Sequence, residues 1–508
     1  MLQHLVSGFG AALSPAYLAY AFAGCMLGTL IGVLPGLGPA AGTAILIPLT
    51  FKLDPTGAII MLSAIYYGAM YGGTITSVLI NVPGEAASVI TCIDGHQMAR
   101  QGRAGTALGI AAIGSFVGGM VATIALVVVA PPLAQMALRF GPPEFFALML
   151  FGLCLVSGLA GRSMLAALLM TVLGLLLAMI GMDPVRGAPR FAFDIPDLYD
   201  GIGFIAVVMG LFGISEILLA AEAPVRDVVR TKLSRLLPSR EEWRRSLGAI
   251  GRGTGIGFAL GLIPGIGAIV PTFMAYVAEK RLSKTPERFG QGAIEGVAAP
   301  ESANNAYANA AMIPFLTLGI PSSPTIAVLM GAFIINGITP GPFLFQERPD
   351  LVWAVIASFF VGNVILLALN LPLVGLWAKL LHLPFQYLWV GVLLFCVVGA
   401  YSLQQSTFDV WVMIAFGIIG YVFRKVDLPL APLVLGLILG PAIEKSLRTS
   451  LEMSAGDYSI FITRPLCLGL LIAAAAVLVG AALKLAPNAL RRLSFSGIPV
   501  KSNEGGGP

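Results

Sequence analysis

The chain has 508 residues, of which 57% are hydrophobic and only 11% are charged. Soluble domains carry roughly 25% charged residues, so the composition excludes a soluble enzyme, a nucleic-acid-binding protein and a disordered protein. The formal net charge of +5 is therefore interpreted as a topology signal, because Lys and Arg collect in the cytoplasmic loops of membrane proteins.

Long apolar stretches, most of them without any charged residue, follow one another along the chain. A membrane-spanning helix needs about 20 apolar residues, so the sequence predicts an all-α polytopic membrane protein with about 12 transmembrane segments. Residues 16–34 are treated as a further retained span, because the N-terminus lacks the basic region and the cleavage site of a signal peptide. The 12 stretches are 55–84, 104–138, 143–161, 163–182, 201–220, 253–278, 302–346, 351–378, 386–408, 410–423, 429–443 and 465–483.

One loop, residues 222–252, carries eight basic and four acidic side chains. A connecting loop of this length with a basic excess is expected in the cytoplasm. The loop 94–103 lies four spans earlier and is predicted on the same side, as are Arg424, Lys425 and the basic C-terminal end. The N-terminus is then predicted to be periplasmic and the C-terminus cytoplasmic.

The sequence contains an internal repeat with the pattern G-x3-G-x3-G-x2-P-G-x-G. Glycine at every fourth position provides a smooth face for close helix packing, and the Pro-Gly-x-Gly that follows interrupts the helix. All six positions recur at one constant offset along the chain: Gly24, Gly28, Gly32, Pro35, Gly36 and Gly38 match Gly253, Gly257, Gly261, Pro264, Gly265 and Gly267.

A second correspondence follows in each half, where 79–85 resembles 317–323 at a slightly larger offset. The duplication is predicted to cover about 24–220 and 253–447. The predicted units are a first membrane repeat (1–221), a cytoplasmic basic loop (222–252), a second membrane repeat (253–447), an extra C-terminal span (448–485) and a cytoplasmic tail (486–508).

The charge pattern predicts that the two copies are inverted in the membrane. Inverted repeats with helices broken at matching positions are typical of secondary transporters, which bind their substrate at the breaks. The alternative is a duplicated bundle whose glycines serve packing alone, without transport.

A broken helix in a membrane exposes backbone groups that are tolerated only around a cavity or a ligand. The N-terminal ends of half-helices attract anions, and free carbonyl groups suit Na⁺. The sequence predicts four breaks, at 35–38, 83–84, 264–267 and 321–324.

Polar residues beside these breaks are the candidate site residues. For Asn304 and Asn305 the alternative is hydrogen bonding between helices, and for Thr43, Ser88 and Thr325 it is helix packing. Glu85 is either an intramembrane cation or proton site or a surface residue on a superficial turn. The predicted substrate-binding residues are Gly84, Asn304, Asn305, Thr317, Pro321, Ser322, Ser323 and Thr325; the predicted ion-coupling residues are Gly36, Gly38, Asn81, Glu85, Gly265 and Gly267.

Enzyme motifs are missing from the sequence. It contains no HExxH, GxSxG or Walker A motif, so no metalloprotease, serine hydrolase or ATPase is indicated. The three histidines are scattered and the five cysteines form no CxxC, so no metal site or cofactor is predicted beyond a coupling Na⁺ or H⁺. Any pumping must then draw on an ion gradient or on partner subunits.

Several longer motifs together resemble the TctA family, the large membrane subunit of the tripartite tricarboxylate transporters. They are 32–38 (GVLPGLG), 81–87 (NVPGEAA), 92–102 (CIDGHQMARQG), 300–305 (PESANN) and 318–321 (LGIP). The chain departs from the family pattern at Ser322, where glycine is common, and near Tyr307 and Asn309, where small residues are more usual.

The resemblance implies a carrier of the bacterial inner membrane, driven by a cation gradient such as that of Na⁺. It also implies a small TctB-type membrane subunit and a TctC-type periplasmic solute-binding protein that delivers a di- or tricarboxylate. A gated organic-anion channel with the same broken-helix site is the alternative function, and a membrane scaffold without transport is a third.

Overall fold

The computed structural model of the chain is built almost entirely from helices. It describes residues 1–34, 37–159, 163–183, 187–222, 235–380 and 385–493. Within those ranges the only strands are one short antiparallel pair, β1 (Gly181–Met182) and β2 (Pro189–Arg190). The predicted all-α fold class is confirmed.

The N-terminal half supplies ten of the helices in the described residues. A π-helical segment, Met209–Ile214, joins the last two, so 204–222 forms one continuous helix. The ten are α1 (Leu2–Ala12), α2 (Pro15–Val33), α3 (Gly38–Leu46), α4 (Pro55–Ile80), α5 (Val89–Arg100), α6 (Ala104–Ala137), α7 (Pro142–Leu159), α8 (Met164–Leu177), α9 (Phe204–Val208) and α10 (Ser215–Glu222).

The C-terminal half begins earlier than the sequence indicates. Residues 240–252, which were assigned to the basic loop, are helical, because Ser239 and Glu242 form a capping box that starts α11. The helices of this half are α11 (Arg240–Gly261), α12 (Ile269–Leu282), α13 (Glu295–Ala310), α14 (Met312–Leu318), α15 (Pro324–Ile335), α16 (Leu344–Glu347), α17 (Pro349–Asn370), α18 (Val374–Leu380), α19 (Phe385–Gln404), α20 (Thr407–Lys425), α21 (Leu430–Met453), α22 (Ile460–Thr463) and α23 (Pro465–Leu493).

The predicted domain limits at 447 and 485 fall inside α21 and α23, so neither coincides with a helix end. The predicted C-terminal tail, 486–508, overlaps the end of α23, and residues 494–508 lie outside the described residues.

Six helices in the described part of the chain are long and apolar enough to cross a membrane, and seven shorter apolar segments accompany them. The polytopic prediction is therefore confirmed. The long ones are α2, α4, α6, α17, α20 and α21.

Helix α2, which covers the span predicted at 16–34, is the first arm of a hairpin whose second arm is α3. The Tyr17 hydroxyl, in the first turn of α2, donates to the Asp54 carboxylate at the start of α4, over 2.9 Å. The start of α2 and the start of α4 therefore lie at the same face. The chain enters along α2, turns at the first break and returns through α3.

Helices α11 and α12 form the corresponding hairpin of the second half. Two hydrogen bonds of 2.7 and 2.8 Å join the Arg252 guanidinium to the Glu279 carboxylate, so α12 returns alongside α11. The stretch 253–278, which the sequence predicts as a single span, is therefore two arms of a hairpin. Hydropathy cannot distinguish the two cases, because both are uncharged and of membrane-spanning length.

The repeated glycines pack each hairpin against the long helix that follows it. A Cβ placed on Gly28 would lie 2.4 Å from the Ile65 carbonyl oxygen, and one on Gly257 would lie 2.2 Å from that of Ala303. Neither position has room for a side chain. The helices therefore approach each other backbone to backbone.

The three glycine contacts have the same register in both halves. Gly24, Gly28 and Gly32 contact Met61, Ile65 and Ala69, whereas Gly253, Gly257 and Gly261 contact Ala299, Ala303 and Tyr307. Each contacted residue and its counterpart are separated by the same offset that relates the second breaks, 79–85 and 317–323. The two halves therefore share one packing scheme from the hairpin through the second break.

One face of the molecule carries the starts of α6 and α13. Arg103, just before α6, pairs with Glu242 over 2.7 Å, and Arg245 pairs with Glu295 at the start of α13 over 2.6 Å. These four residues mark the side of the protein where the two predicted loops with basic residues lie, and we call this side the basic face. Residues 94–100 of the predicted loop 94–103 belong to α5, and the ion pair between Arg103 and Glu242 joins the residues after α5 to the start of α11. The two predicted loops therefore lie on the same side.

Helix α17 runs in the opposite direction to α6. Ala111, early in α6, and Asn370, at the end of α17, line one cavity, and further along α6 a Cβ on Gly119 would lie 2.4 Å from the Asn363 Oδ1. Helix α17 therefore begins at the face opposite the basic face.

Helix α4 runs parallel to α17. The rings of Tyr67 and Phe359 lie 5.7 Å apart, and further along both helices Thr74 and Asn370 line the same cavity. Helix α4 therefore starts at the opposite face, whereas α13, its counterpart in the second half, starts at the basic face. The two copies are inverted.

The first and last helices of the described chain start at the same face. Gly8 of α1 packs against the Trp353 backbone near the start of α17. Arg464, just before α23, pairs with Glu144 in the first turn of α7, which follows α6 at the opposite face. With 29 residues α23 is about 44 Å long, enough to reach the basic face.

The end of α20 lies beside the end of α10, because Arg424 pairs with Glu216 and Lys425 pairs with Glu222.

Candidate functional site

In each copy, the second break folds back against the end of the first hairpin arm, where the hairpin turns. This end is Gly32 in the first copy and Gly261 in the second. In the first copy, a Cβ on Gly84 would lie 2.2 Å from the Gly32 carbonyl oxygen and 2.5 Å from the Gly73 Cα. In the second copy, the hydroxyl of Tyr307, which packs against Gly261, donates to the Ser322 carbonyl over 3.0 Å. The predicted breaks within one copy are therefore close together, and Gly84 is required by the approach of three backbone segments.

The two copies meet at Glu85 and Asn304. The Asn304 side-chain amide donates to Glu85 Oε1 over 2.6 Å, and both residues are buried. This bond joins the second break of the first copy to α13 of the second copy. Of the two alternatives for Glu85, the surface residue is excluded, because only 6% of the residue is exposed.

The repeat register relates this pair to a second one. At the offset of the second breaks, Asn304 corresponds to Tyr66 and Ser323 corresponds to Glu85. The Tyr66 side chain lies close to Ser323, but its hydroxyl has no hydrogen-bond partner among the described residues. The centre of the protein therefore contains two equivalent pairs with different chemistry.

Several buried polar atoms around these pairs also lack a partner. They include the side-chain oxygens of Asn304 and Asn305 and the Thr43 hydroxyl. The Asn305 amide nitrogen donates to the Glu301 carbonyl of its own helix over 3.4 Å. Because buried polar groups are normally hydrogen-bonded, each of these unpartnered atoms is a place where a ligand or water can bind.

Two glycines at the inner ends of the hairpins border open space. Gly38 has a φ of 59° and Gly267 a φ of 71°, and a Cβ on either would have no neighbour within 4 Å. Gly265, with a φ of 81°, packs against the Val156 backbone instead, 3.0 Å from its nitrogen. Gly36 lies outside the described residues.

The start of α15 brings hydroxyl groups and free backbone amides to the second break. Ser323 is the N-cap and accepts a hydrogen bond from the Ile326 amide over 3.3 Å, and Pro324 and Thr325 occupy the first turn. Pro321 and Ser322 form the bend before it, with Ser322 fully buried. An N-terminal helix end of this kind attracts a carboxylate.

Two of the predicted site residues, Thr317 and Asn81, have local roles in their own helices. The Thr317 hydroxyl donates to the Ile313 carbonyl within α14, over 2.7 Å, so helix geometry already satisfies it. Asn81 ends α4 in a left-handed conformation, with φ 55° and ψ 34°, and is exposed. Its position is explained as a helix C-cap, a common role for asparagine.

Glu301, which was not selected from the sequence, lies at the centre of a polar cluster. The carboxylate is 1% exposed and accepts hydrogen bonds from Thr74 (2.7 Å), Thr91 (2.5 Å) and Ser115 (3.3 Å). These residues come from α4, α5, α6 and α13. Glu85 is singled out in the sequence as the only acid between Asp54 and Asp94, whereas Glu301 directly precedes the uncharged stretch 302–346 and stands at its boundary.

Asp94 holds the segment before α13 in place. Its Oδ1 accepts hydrogen bonds from the backbone amides of Gly290, Gly292 and Ala293, at 2.8 to 2.9 Å, and Oδ2 accepts one from the Tyr276 hydroxyl. Asp94 follows the second break of the first copy on α5. It therefore fixes α5 relative to the start of the helix that carries Glu301 and Asn304.

A family model described as the tripartite tricarboxylate transporter TctA family matches residues 18–435. The chain belongs to the TctA family. This TctA-family chain is thus the large membrane subunit of a tripartite transporter, and its family is one of transporters and not of enzymes.

Two Agrobacterium vitis proteins are similar to this TctA-family chain. One, described as an uncharacterized 52.8 kDa protein in the TAR-I ttuC' 3'region, is 48% identical over 481 residues, which cover 94% of this chain and 96% of that protein. The other, described as an uncharacterized protein in the TAR-II ttuC' 3'region, is 49% identical over 215 residues, which cover 42% of this chain and 89% of that protein. No solved structure matches this TctA-family chain significantly.

Proposed function

We propose that this TctA-family chain is the permease of a secondary transporter that imports a di- or tricarboxylate with a cation, which we take to be Na⁺. The observation that carries the proposal is the buried bond between Glu85 and Asn304, where the broken elements of two inverted copies meet. Broken helices that meet between inverted repeats support a substrate site that opens alternately to either side of the membrane.

The substrate carboxylates bind at the start of α15, to the amides and hydroxyls around Ser322 and Ser323 and to the unpartnered Tyr66 hydroxyl, next to Asn304. None of the side chains that bond to Glu85 in the described residues is positively charged. An anion beside Glu85 and Glu301 is therefore repelled unless a cation binds as well. This mutual dependence couples substrate binding to cation binding.

The basic face is the cytoplasmic side in this proposal, since basic loops stay inside. The N-terminus is then periplasmic, in the bacterial inner membrane. A small TctB-type membrane subunit and a TctC-type periplasmic solute-binding protein complete the transporter, and the binding protein delivers the substrate to the face opposite the basic face.

Uptake in proteoliposomes tests the proposal. The substrate is first chosen by thermal shift of the solute-binding protein from the same system against citrate, malate and succinate. The complete transporter is then reconstituted, and uptake of the radiolabelled acid is measured with an inward Na⁺ gradient. Accumulation above the external concentration is expected. Equilibration without accumulation would identify a channel, and no uptake in the presence of all three components would contradict transport.

A further inference from the structure

A small cavity lies beside the Glu301 cluster, between α4, α6 and α17. Its volume of about 10 Å³ is close to the smallest space that holds a single water, and Na⁺ is smaller than a water molecule. Thr74 and Ser115, which both bond to Glu301 Oε2, form one wall of the cavity. The carboxylate is therefore separated from the cavity by only these two hydroxyl groups.

Two further lining residues carry unpartnered oxygen atoms, and the rest of the wall is apolar (Ile75, Leu108, Ala111, Ala112 and Val374). The Tyr71 hydroxyl and the Asn370 Oδ1 are buried and have no hydrogen-bond partner among the described residues. The Asn370 amide nitrogen is already used, donating to the Leu366 carbonyl over 3.0 Å. The side chain therefore presents an acceptor oxygen that no group in the described part of the chain satisfies.

We propose that this cavity is a Na⁺-binding site, with oxygen ligands from Thr74, Ser115, Tyr71 and Asn370 and with the charge of Glu301 directly behind them. The inference deepens the proposed function, because it assigns the coupling cation to α13 and its neighbours rather than to the hairpin carbonyls. Hard cations prefer such an all-oxygen shell.

The charge of the cluster indicates a monovalent ion. When it is ionised, Glu301 supplies a single negative charge, and the hydroxyl groups that bond to it supply none. No group of three or more His, Cys, Asp or Glu residues that could hold a metal ion occurs in the described part of the chain. A buried carboxylate without a positive partner is costly, and a bound Na⁺ removes that cost.

The site is also placed to communicate with the substrate. Glu301 and Asn304 lie three residues apart on α13, so their side chains are about one helical turn from each other. A cation that orders α13 at Glu301 also fixes the position of Asn304, and with it the bond to Glu85.

Binding of ²²Na⁺ to the purified full-length chain in KCl buffer tests the inference without any substrate. The variant Glu301→Gln is expected to weaken binding about 10- to 100-fold, because the charge directly behind the ligands is lost. Ser63→Ala is the matched control. Ser63 is the counterpart of Glu301 in the first copy, is fully buried and has an unpartnered hydroxyl. The control is expected to bind Na⁺ with unchanged affinity.

Tyr71→Phe separates a ligand role from a structural one. Removing a hydroxyl that bonds to nothing leaves the melting temperature in KCl unchanged or raises it, whereas a lost ligand weakens Na⁺ binding about 3- to 10-fold. This variant keeps the inference testable if Glu301→Gln does not fold, which size-exclusion chromatography reveals.

Absence of saturable ²²Na⁺ binding by the wild type overturns the inference, as does equal affinity in Glu301→Gln. Loss of binding in Glu85→Gln with retention in Glu301→Gln would assign the cation to the other carboxylate and overturns it as well. Accumulation of substrate that is driven by a proton gradient, together with absence of Na⁺ binding, would overturn this inference and leave carboxylate transport standing.

Discussion

The two copies of the repeat have the same backbone packing and bring different side chains to the centre. In both, glycines on the first hairpin arm contact the following long helix at matching positions of the repeat. The polar positions do not follow this symmetry. Where the first copy has Ser63, Tyr66 and Glu85, the second has Glu301, Asn304 and Ser323.

The shared backbone packing and the differing polar side chains therefore have separate roles. Alternating access needs two packing arrangements of similar energy, which a symmetric backbone provides. Binding one asymmetric substrate together with one cation needs an asymmetric set of side chains. The second copy supplies the buried carboxylate of the proposed cation site, and the first copy supplies the carboxylate that bonds to Asn304.

The largest expected effect comes from disturbing the shared packing. Gly28→Val and Gly257→Val each force a side chain into a carbonyl oxygen 2.2 to 2.4 Å away, so both should destabilise the protein by about 3 kcal/mol or more. We expect most of the folded material to be lost in fluorescence-detected size-exclusion chromatography. Gly255→Val is the control, since a Cβ there has no neighbour within 4 Å. If folded material is lost with only one of the two variants, the glycines of the two copies do not contribute equally to packing.

The next largest effect is expected at the contact between the copies. Asn304→Leu leaves the buried Glu85 without its hydrogen-bond donor, which costs about 1.5–3 kcal/mol and should reduce uptake in proteoliposomes about 10- to 100-fold. The control is Asn336→Ala, whose amide donates to the Ala332 carbonyl of its own helix. Normal uptake by Asn304→Leu would remove Asn304 from the site.

A smaller effect is expected at the equivalent pair. Tyr66→Phe removes a buried hydroxyl that has no partner among the described residues, so we expect the melting temperature to stay the same or to rise slightly. If the hydroxyl binds substrate, KM for uptake rises about 3- to 10-fold with little change in kcat. This is the result expected when a residue stabilises the bound substrate and the transition state equally. A lower melting temperature with unchanged KM would show that Tyr66 acts in packing instead.

The smallest effect is expected at the basic face. Arg103 and Glu242 link the two copies there, with 32% and 19% of their side chains exposed. Exposed ion pairs contribute at most about 1 kcal/mol, so Arg103→Ala should leave uptake unchanged and lower the melting temperature by no more than about 2 °C. A large loss of uptake would show that the copies are coupled through this face as well as through the centre.

Much of the site could be predicted because regularly spaced glycines and polar side chains are unusual in long apolar segments. Glycine at every fourth position in an apolar helix has few explanations other than close packing, and Glu85 and Asn304 are costly in apolar surroundings unless they are paired. Glu301 was missed because it directly precedes an uncharged stretch and was treated as its boundary. Asn81 and Thr317 were selected for the same polarity, but a helix C-cap and an intrahelical hydrogen bond account for them.

The sequence by itself determined the membrane class, the repeat and its register, because these depend on composition and on spacing along one chain. Only the tertiary structure decided that α2 and α11 are hairpin arms, since hydropathy is the same for an arm that returns and a helix that crosses. It also decided the partners. Glu85 and Asn304 are 219 residues apart, and Glu301 lies 227 residues from Thr74. Such pairs form only when two inverted copies pack together, and periodicity along the chain carries no information about the distance between them.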